Sequence, residues 1–304
     1  MNLITGANGF LGSHLCESMR GVGIIRDRNK KTNPEKLKNT TILYGDFTDL
    51  QFLRRVCSDY EIDTIFHVGA QSIVRIANTN PLDCYRSNVM GTINVLECAR
   101  EFGCKVIYAS SDKAYGDCDT LPYTEETPLR ASDPYSTSKL CGDMICQSYF
   151  LSYGVDVRIV RSANIYGPDP NHSRIIPNTI RRILDGKRPQ IYTGSMNYKR
   201  EYVYIEDVVS AYHAIDLSGE PGEAYNIGRE QPISVKDLVD KICSLMGYSG
   251  EIEIREKQFR EIENQYLYGR KLMELDTIDG NFKFKYSLER GLKKTIKWYS
   301  DLMT

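Results

Sequence analysis

Residues 6–12 read Gly6-Ala7-Asn8-Gly9-Phe10-Leu11-Gly12, directly after the apolar run Asn2–Thr5 and directly before an amphipathic segment. That order spells a strand, a tight turn and a helix. Glycines at the first, fourth and seventh places let the backbone turn sharply and approach a pyrophosphate held at the helix N-terminus. Asn8, Phe10 and Leu11 belong to the same candidate cradle. Such glycines also make ordinary turns, so their weight depends on the pattern of the chain downstream.

Outward from this turn, β-branched runs at 23–26, 41–44, 64–68, 105–110 and 156–161 alternate with helical spacing. In 88–102, for example, Val89, Ile93, Leu96 and Ala99 recur every three or four residues, and 135–153 has the same character. Alternation of this kind predicts an α/β fold with a doubly wound parallel sheet covered on both faces. After Asn164 the rhythm changes: turn residues cluster in GPDPNHS, helices are expected at 177–185 and 235–246, and strands become isolated. The expected division is 1–166 and 167–304, the second part being a smaller α/β unit for substrate, with a return to the first around 200–228.

Composition narrows the function. Across 304 residues, 39 Lys and Arg stand against 40 Asp and Glu, a formal charge of -1, which supplies no basic field for nucleic acid or anionic membrane. The opening residues lack a charged segment ahead of an apolar core, and no apolar run reaches the length of a membrane span. The expectation is a soluble, cytoplasmic protein. Nine cysteines without C-x-x-C pairs and four dispersed histidines offer no metal-ligand spacing. No metal is expected, and the thiols read as buried bystanders in a reducing compartment.

Two further segments bear on a nucleotide cofactor. Asp46 and Phe47 end the third predicted strand, where a carboxylate can accept from an adenine amine or simply form a turn. The second strand ends in Arg26-Asp27-Arg28. Asp27 can hold a ribose 2'-hydroxyl, whereas Arg26 and Arg28 can hold a 2'-phosphate, which tips the expectation from NAD toward NADP. Tyr135 and Lys139 lie four apart, one turn from each other on one helix face. An ammonium there favours the phenolate and is expected to lower the tyrosine from its ordinary ~10 toward neutrality. Just upstream, strand 105–110 runs out into Ser110-Ser111-Asp112-Lys113, polar groups at the strand end where open α/β sheets build their sites.

TGANGFLGSHL, GDFTDL, HVGAQ, NVMGTINVLECAR, SSDKAYG, YSTSK, RSANIYGP, REYVYIEDVV and AYNIG, in that order, resemble the extended short-chain dehydrogenase/reductase family of nucleotide-sugar epimerases and dehydratases. The resemblance covers nearly the whole chain and implies a Rossmann sheet. It makes Ser111, Tyr135 and Lys139 a catalytic triad. It implies that His67, Gly69, Ala70 and Gln71 line the cofactor or sugar pocket, that Ser72 and Asn88 stand at the substrate, and that Asn164 and Arg200 meet its diphosphate. A surface position for Arg200 and a helix N-cap for Asn88 are the structural alternatives. Nucleotide recognition is expected from the segment after Asn164, including SRIIPNTIRRIL and the surroundings of Arg255. The implied cofactor is NAD(P), the implied ligand a nucleotide-diphosphate hexose, and the implied assembly a homodimer through helices 88–102 and 135–153.

Within that family an epimerase needs only to rotate a 4-keto sugar, and small residues usually come after its triad serine. A 4,6-dehydratase must also remove the C5 proton and protonate the departing C6 hydroxyl, which takes another base and acid. Asp112 and Lys113 are both ionisable, and Asp-Lys is similar to the CDP-glucose 4,6-dehydratase variant. Asp112 as acid and Lys113 as base therefore favour the dehydratase, with the 4-epimerase as runner-up. Lys113 pointing to solvent, or paired with Asp112, is the plain alternative. A Rossmann protein that senses its cofactor without turnover is the reading from another class, and an intact triad argues against it.

Overall fold

The computed structural model describes residues 1–27, 34–118, 120–169, 174–256, 264–277 and 280–302. The sheet strands are β1 (Asn2–Thr5), β2 (Gly21–Ile25), β3 (Thr40–Tyr44), β4 (Thr64–His67), β5 (Lys105–Ala109) and β6 (Val157–Ser162). Beyond them come β7 (Asn164–Tyr166), β8 (Gln190–Tyr192), β9 (Lys199–Arg200), β10 (Tyr202–Tyr204) and β11 (Ala224–Ile227). Seven strands join in the order β11-β6-β5-β4-β1-β2-β3, every neighbouring pair parallel. The order reverses between β1 and β4, and their C-terminal ends form the crevice where such sheets bind ligands.

Two helical layers cover the sheet because neighbouring residues of each strand are apolar on opposite faces. Ile4, Phe66, Ile107 and Val160 pack toward α1 (Phe10–Ser18) and α8 (Ile205–Ser218). Leu3, Ile65, Val106 and Ile159 pack toward α2 (Leu50–Asp59), α5 (Gly91–Phe102) and α6 (Pro134–Tyr153). Each such side chain, fully withdrawn from water, contributes roughly 1.5–3 kcal/mol.

The predicted strands and helices are present, with ends displaced by one to three residues. The helix expected from Asn88 begins earlier and differently. α3 (Val74–Thr79) and α4 (Pro81–Tyr85), the latter capped by Asn80, lead into a π-turn at Arg86–Met90 that continues into α5. Asn88 lies inside that turn, so the N-cap alternative is wrong for it.

A third core joins α7 (Ile175–Leu184), α9 (Val235–Leu245) and α11 (Leu288–Asp301) with β7 and β10. β12 (Ile233–Ser234), β13 (Glu253–Arg255) and β14 (Asn264–Gln265) complete this part as edge pairings: β12-β9-β14 and β13-β8. β11, the seventh strand of the main sheet, comes from the stretch AYNIG well downstream of the other six. Among the described residues no helix is long and apolar enough to cross a membrane.

Candidate functional site

The glycine turn links the two sides of the crevice. Gly6 has φ +66°, and a Cβ there would stand 2.7 Å from Gly69 Cα, so the loops after β1 and β4 touch backbone to backbone. A Cβ on Gly12 would meet the Gly6 carbonyl oxygen at 2.3 Å. Gly9 caps α1 with no side-chain hydrogen bond, which leaves the first-turn amides facing outward. Bare backbone on three sides with amides at a helix start fits the pyrophosphate of a dinucleotide. Phe10 and Leu11 are half-buried and start α1, while the Asn8 side chain donates to the Asp27 carbonyl at 3.4 Å.

At the adenosine end, Asp46 Oδ1 accepts from Thr48 N at 2.9 Å, and its other oxygen stands 4.0 Å from Arg26. The turn-forming role is thus present. Phe47 is wedged under the cradle: Cβ atoms on Gly69 and Gly91 would strike its ring at 2.7 and 2.4 Å. Arg28, on which the NADP expectation partly rests, lies outside the described residues, and Arg26 is already directed at Asp46.

The loop after β4 is held by proton accounting. Thr92 donates to the Asn88 carbonyl at 2.6 Å, so toward His67 it must accept, from Nε2–H at 3.2 Å. His67 Nδ1 then accepts from Thr5 Oγ1 at 2.8 Å, and Thr5 Oγ1 accepts from Gly69 N at 3.0 Å. Burial, reinforced by Lys139, pushes the imidazole down to about 3, so it is neutral. His67 is therefore a buried pillar under the loop and does not line the pocket. Asn88 is its counterpart: Oδ1 accepts from Gln71 N at 2.8 Å, and Nδ2 donates to the Gln71 carbonyl and to Ser138 Oγ. Gln71 turns its own amide onto Ile73, Ala70 is half-buried, and the Ser72 carbonyl accepts from Arg174 at 3.0 Å.

Asp133 and Pro134 place the tyrosine. The Asp133 carboxylate accepts from Tyr135 N and Ser136 N at 3.1 Å, which starts α6 one residue before Tyr135. Lys139, one turn on, donates to the Ala109 carbonyl at 2.6 Å, and burial pulls it down to about 8. Tyr135 itself is raised: burial dominates, while Arg174 and hydrogen bonding with Ser111 pull the other way. The expected drop toward neutrality is thus not produced by the protein's own groups. The ammonium is turned to a carbonyl, and desolvation of the phenolate wins.

Ser111 caps the short turn Asp112–Tyr115, accepting from Lys113 N at 3.2 Å and donating to Asp112 Oδ1 at 2.9 Å. Asp112 is buried, and Lys113 Nζ donates to Gln265 Oε1. That oxygen belongs to β14, so the turn after β5 touches the smaller part of the chain through Lys113. Behind the turn, Arg161 grips Asp143 through two bonds of 2.9 Å, and Asp143 also accepts from Ser110 at 2.9 Å. This buried pair ties the end of β5, α6 and β6 to one another next to Ser111.

On the substrate side, the Asn164 amide donates to the Glu201 carbonyl at 3.1 Å. Arg200 is 7 % exposed, which excludes the surface alternative, and its guanidinium lies over Tyr198. The Glu201 carboxylate collects the backbone amides of Arg229, Gln231 and Leu267, which ties β9 to the chain before β12 and after β14. Burial first, and then Asp112, raises Glu201 above the usual carboxylate range. Arg255 sits in β13, where it pairs with Glu253 at 2.9 Å and half its side chain is exposed. The structure brings Ser111, Asp112, Lys113, Tyr135 and Lys139 together and leaves Arg255 on a separate two-stranded edge. Sequence reasoning included Arg174 only within the segment SRIIPNTIRRIL and gave no role to Glu201 or Gln265, whose contacts join stretches far apart in the chain and leave no periodic signal.

The model of the NAD dependent epimerase/dehydratase family matches residues 2–228. The mouse dTDP-D-glucose 4,6-dehydratase is 30 % identical over 98 % of this chain and 88 % of its own length. The trifunctional UDP-glucose 4,6-dehydratase/UDP-4-keto-6-deoxy-D-glucose 3,5-epimerase/UDP-4-keto-L-rhamnose-reductase of Arabidopsis thaliana is also 30 % identical over 98 % of the chain, which spans 47 % of that protein. Among solved structures, UDP-glucose 4-epimerase from Thermotoga maritima with UDP-glucose superposes with a TM-score of 0.92, at 26 % identity and full coverage of both chains. The dTDP-glucose 4,6-dehydratase from Bacillus anthracis in complex with NAD gives 0.87 at 28 % identity, covering 99 % of this chain and 97 % of that one. With the strand order in place and the family model and relatives matching along the chain, the chain belongs to the NAD-dependent epimerase/dehydratase family.

Proposed function

We propose that the protein is a nucleotide-sugar 4,6-dehydratase that forms a 4-keto-6-deoxy product. The observation that carries this reading is the buried Asp112 beside Lys113, both in the turn opened by Ser111. NAD, when bound, would supply a hydride acceptor and a positively charged nicotinamide ring. The glycine cradle and the loop after β4 would hold it, with Lys139 at the nicotinamide ribose. Tyr135 takes the proton of the sugar C4 hydroxyl, and Ser111 orients that oxygen. Lys113, neutral, removes the C5 proton made acidic by the new C4 carbonyl. Asp112 is assigned as the acid that gives a proton to the C6 hydroxyl, which leaves as water; return of the C4-derived hydride to C6 and of the proton on Lys113 to C5 then completes the 4-keto-6-deoxy sugar. Arg200 and Asn164 are assigned to the diphosphate. NAD replaces the NADP expectation, because Arg26 is directed at Asp46 and the B. anthracis relative is in complex with NAD. The same reading has the protein act in the cytoplasm as a homodimer paired through α5 and α6.

The likeness to the T. maritima epimerase favours 4-epimerisation as the second reading. Incubation with NAD and CDP-, GDP-, UDP- and dTDP-glucose, with product mass as the readout, separates them: the dehydratase product is lighter by one water, the epimer unchanged. Lys113→Met is expected to slow water loss on the order of 100-fold or more. An unchanged rate would remove Lys113 from the chemistry.

A further inference from the structure

Lys139 is buried, and among the described residues its nitrogen makes one hydrogen bond, to the Ala109 carbonyl, and no ion pair. Its other contact is aromatic: Nζ lies over the Tyr108 ring, 5.2 Å from the centroid. The negative face of such a ring attracts a cation within about 6 Å, and more strongly where water is excluded. Tyr108 is itself completely buried and its hydroxyl has no hydrogen-bond partner, so the ring is what this residue offers Lys139. Two neighbours set that ring in place. Gly142, three residues after Lys139 on α6, leaves a notch: a Cβ there would stand 2.0 Å from the Tyr108 hydroxyl oxygen. Glycine inside a helix is less favourable than alanine, and here it makes room for the ring. Along the sheet, His67 pairs in register with Tyr108 across β4 and β5, their ring centroids 5.9 Å apart. Being neutral, His67 brings no second cation to the same ring.

We infer that Tyr108 is a positioning residue for Lys139: the face of its ring holds the side chain in place as an ammonium, in a site that offers that charge no carboxylate. This rests on the reading of Tyr135 and Lys139 as the groups that act at the C4 hydroxyl and the nicotinamide ribose. The titratable groups around Lys139 are His67 of β4, Cys84 of α4, and Tyr135, Asp143 and Cys146 of α6, with Asp112 on the turn that packs against α6. None of them supplies a free counter-charge. Burial pushes the Cys84 and Cys146 thiols and the Tyr135 phenol up, so all three stay protonated, while Asp143 is bound to Arg161 and Asp112 accepts from Ser111. Burial alone draws Lys139 down to about 8, close enough to neutrality for a ring contact to decide how much of it stays charged.

A series at position 108 tests this without emptying the core. The residue is replaced by phenylalanine (Tyr108→Phe) and then by phenylalanines carrying one, two and three ring fluorines, which withdraw charge from the ring face at nearly constant volume. With lysines labelled at 13Cε and Lys139 assigned by Lys139→Met, the Lys139 titration midpoint is followed by NMR in the whole NAD-bound protein, without substrate. Tyr108→Phe is expected to keep the midpoint within about 0.3 unit of wild type, and the fluorinated proteins to step down from it, the trifluorinated one by about 1 unit or more. The first step needs the ammonium, so its rate falls as pH rises through the midpoint. Read as transient reduced-nicotinamide absorbance with the hexose nucleotide that the wild type turns over, that falling limb moves to lower pH along the same series. A midpoint indifferent to the fluorines overturns the inference, as does a Tyr108→Phe protein shifted as far as the trifluorinated one. Failure of the underlying reading looks different: the midpoints step down, but Lys139→Met still oxidises C4 at the wild-type rate.

Discussion

The proton accounting around His67 shows how a single buried residue sets both stability and site geometry. Its imidazole is pushed from the ordinary 6.5 down to about 3 by burial, reinforced by the nearby Lys139 charge, while both ring nitrogens are engaged with Thr5 and Thr92. Protonation therefore favours the unfolded chain. The stabilisation is complete above the ordinary value of 6.5 and is lost as pH falls toward the folded value of about 3. The slope across that window reaches about 1.4 kcal/mol per pH unit for one histidine. Urea unfolding between neutral pH and the acid limb is expected to show a shallower slope in His67→Gln than in the wild type. An unaltered slope would mean that His67 is not the group being charged. His14, pulled by burial to about 4, keeps part of the slope in either protein.

At the scale of elements, the turn between β1 and α1 joins sequence to function most directly. Gly12→Ala pushes a methyl group into the Gly6 carbonyl at 2.3 Å, and backbone cannot swing aside as a side chain can. The expected outcome is loss of co-purifying dinucleotide, read as the ultraviolet absorbance and mass of released NAD, in a chain whose far-ultraviolet dichroism stays native. Retention of NAD would contradict the assignment of this cradle. The spacing of residues 6–12, the alternating apolar strands and the Tyr135-to-Lys139 interval are all legible in the sequence, because each is a local rule of period or turn. The π-turn at Arg86–Met90 is not, since a π-turn and an N-capped start leave the same polar residue ahead of an apolar run. Nor is the contact of Lys113 with Gln265, which comes from β14, a two-residue strand far downstream. For Tyr135 the sequence points in the wrong direction, because charge proximity is visible in a sequence and desolvation is not.

At the scale of the whole molecule, the outer face of α6 leaves Met144, Leu151 and Tyr153 in water at 52, 80 and 62 % exposure. Pairing of two copies across this face and α5 is expected to give a solution mass twice the 34.7 kDa of the chain by light scattering, with Leu151→Asp shifting it toward one copy. A single-chain mass for the wild type would end the homodimer proposal. The seven-stranded sheet carries Ser111, Tyr135, Lys139 and the glycine turn, while the part built on α7, α9 and α11 brings β9 and β14 to Lys113. Water loss should therefore depend on both parts and the first oxidation chiefly on the sheet. The most direct measurement traces deuterium from C4 of the hexose nucleotide through one turnover by NMR and mass. The dehydratase account expects a product lighter by one water with the deuterium at C6; deuterium returned to C4 at unchanged mass would contradict it and establish epimerisation instead.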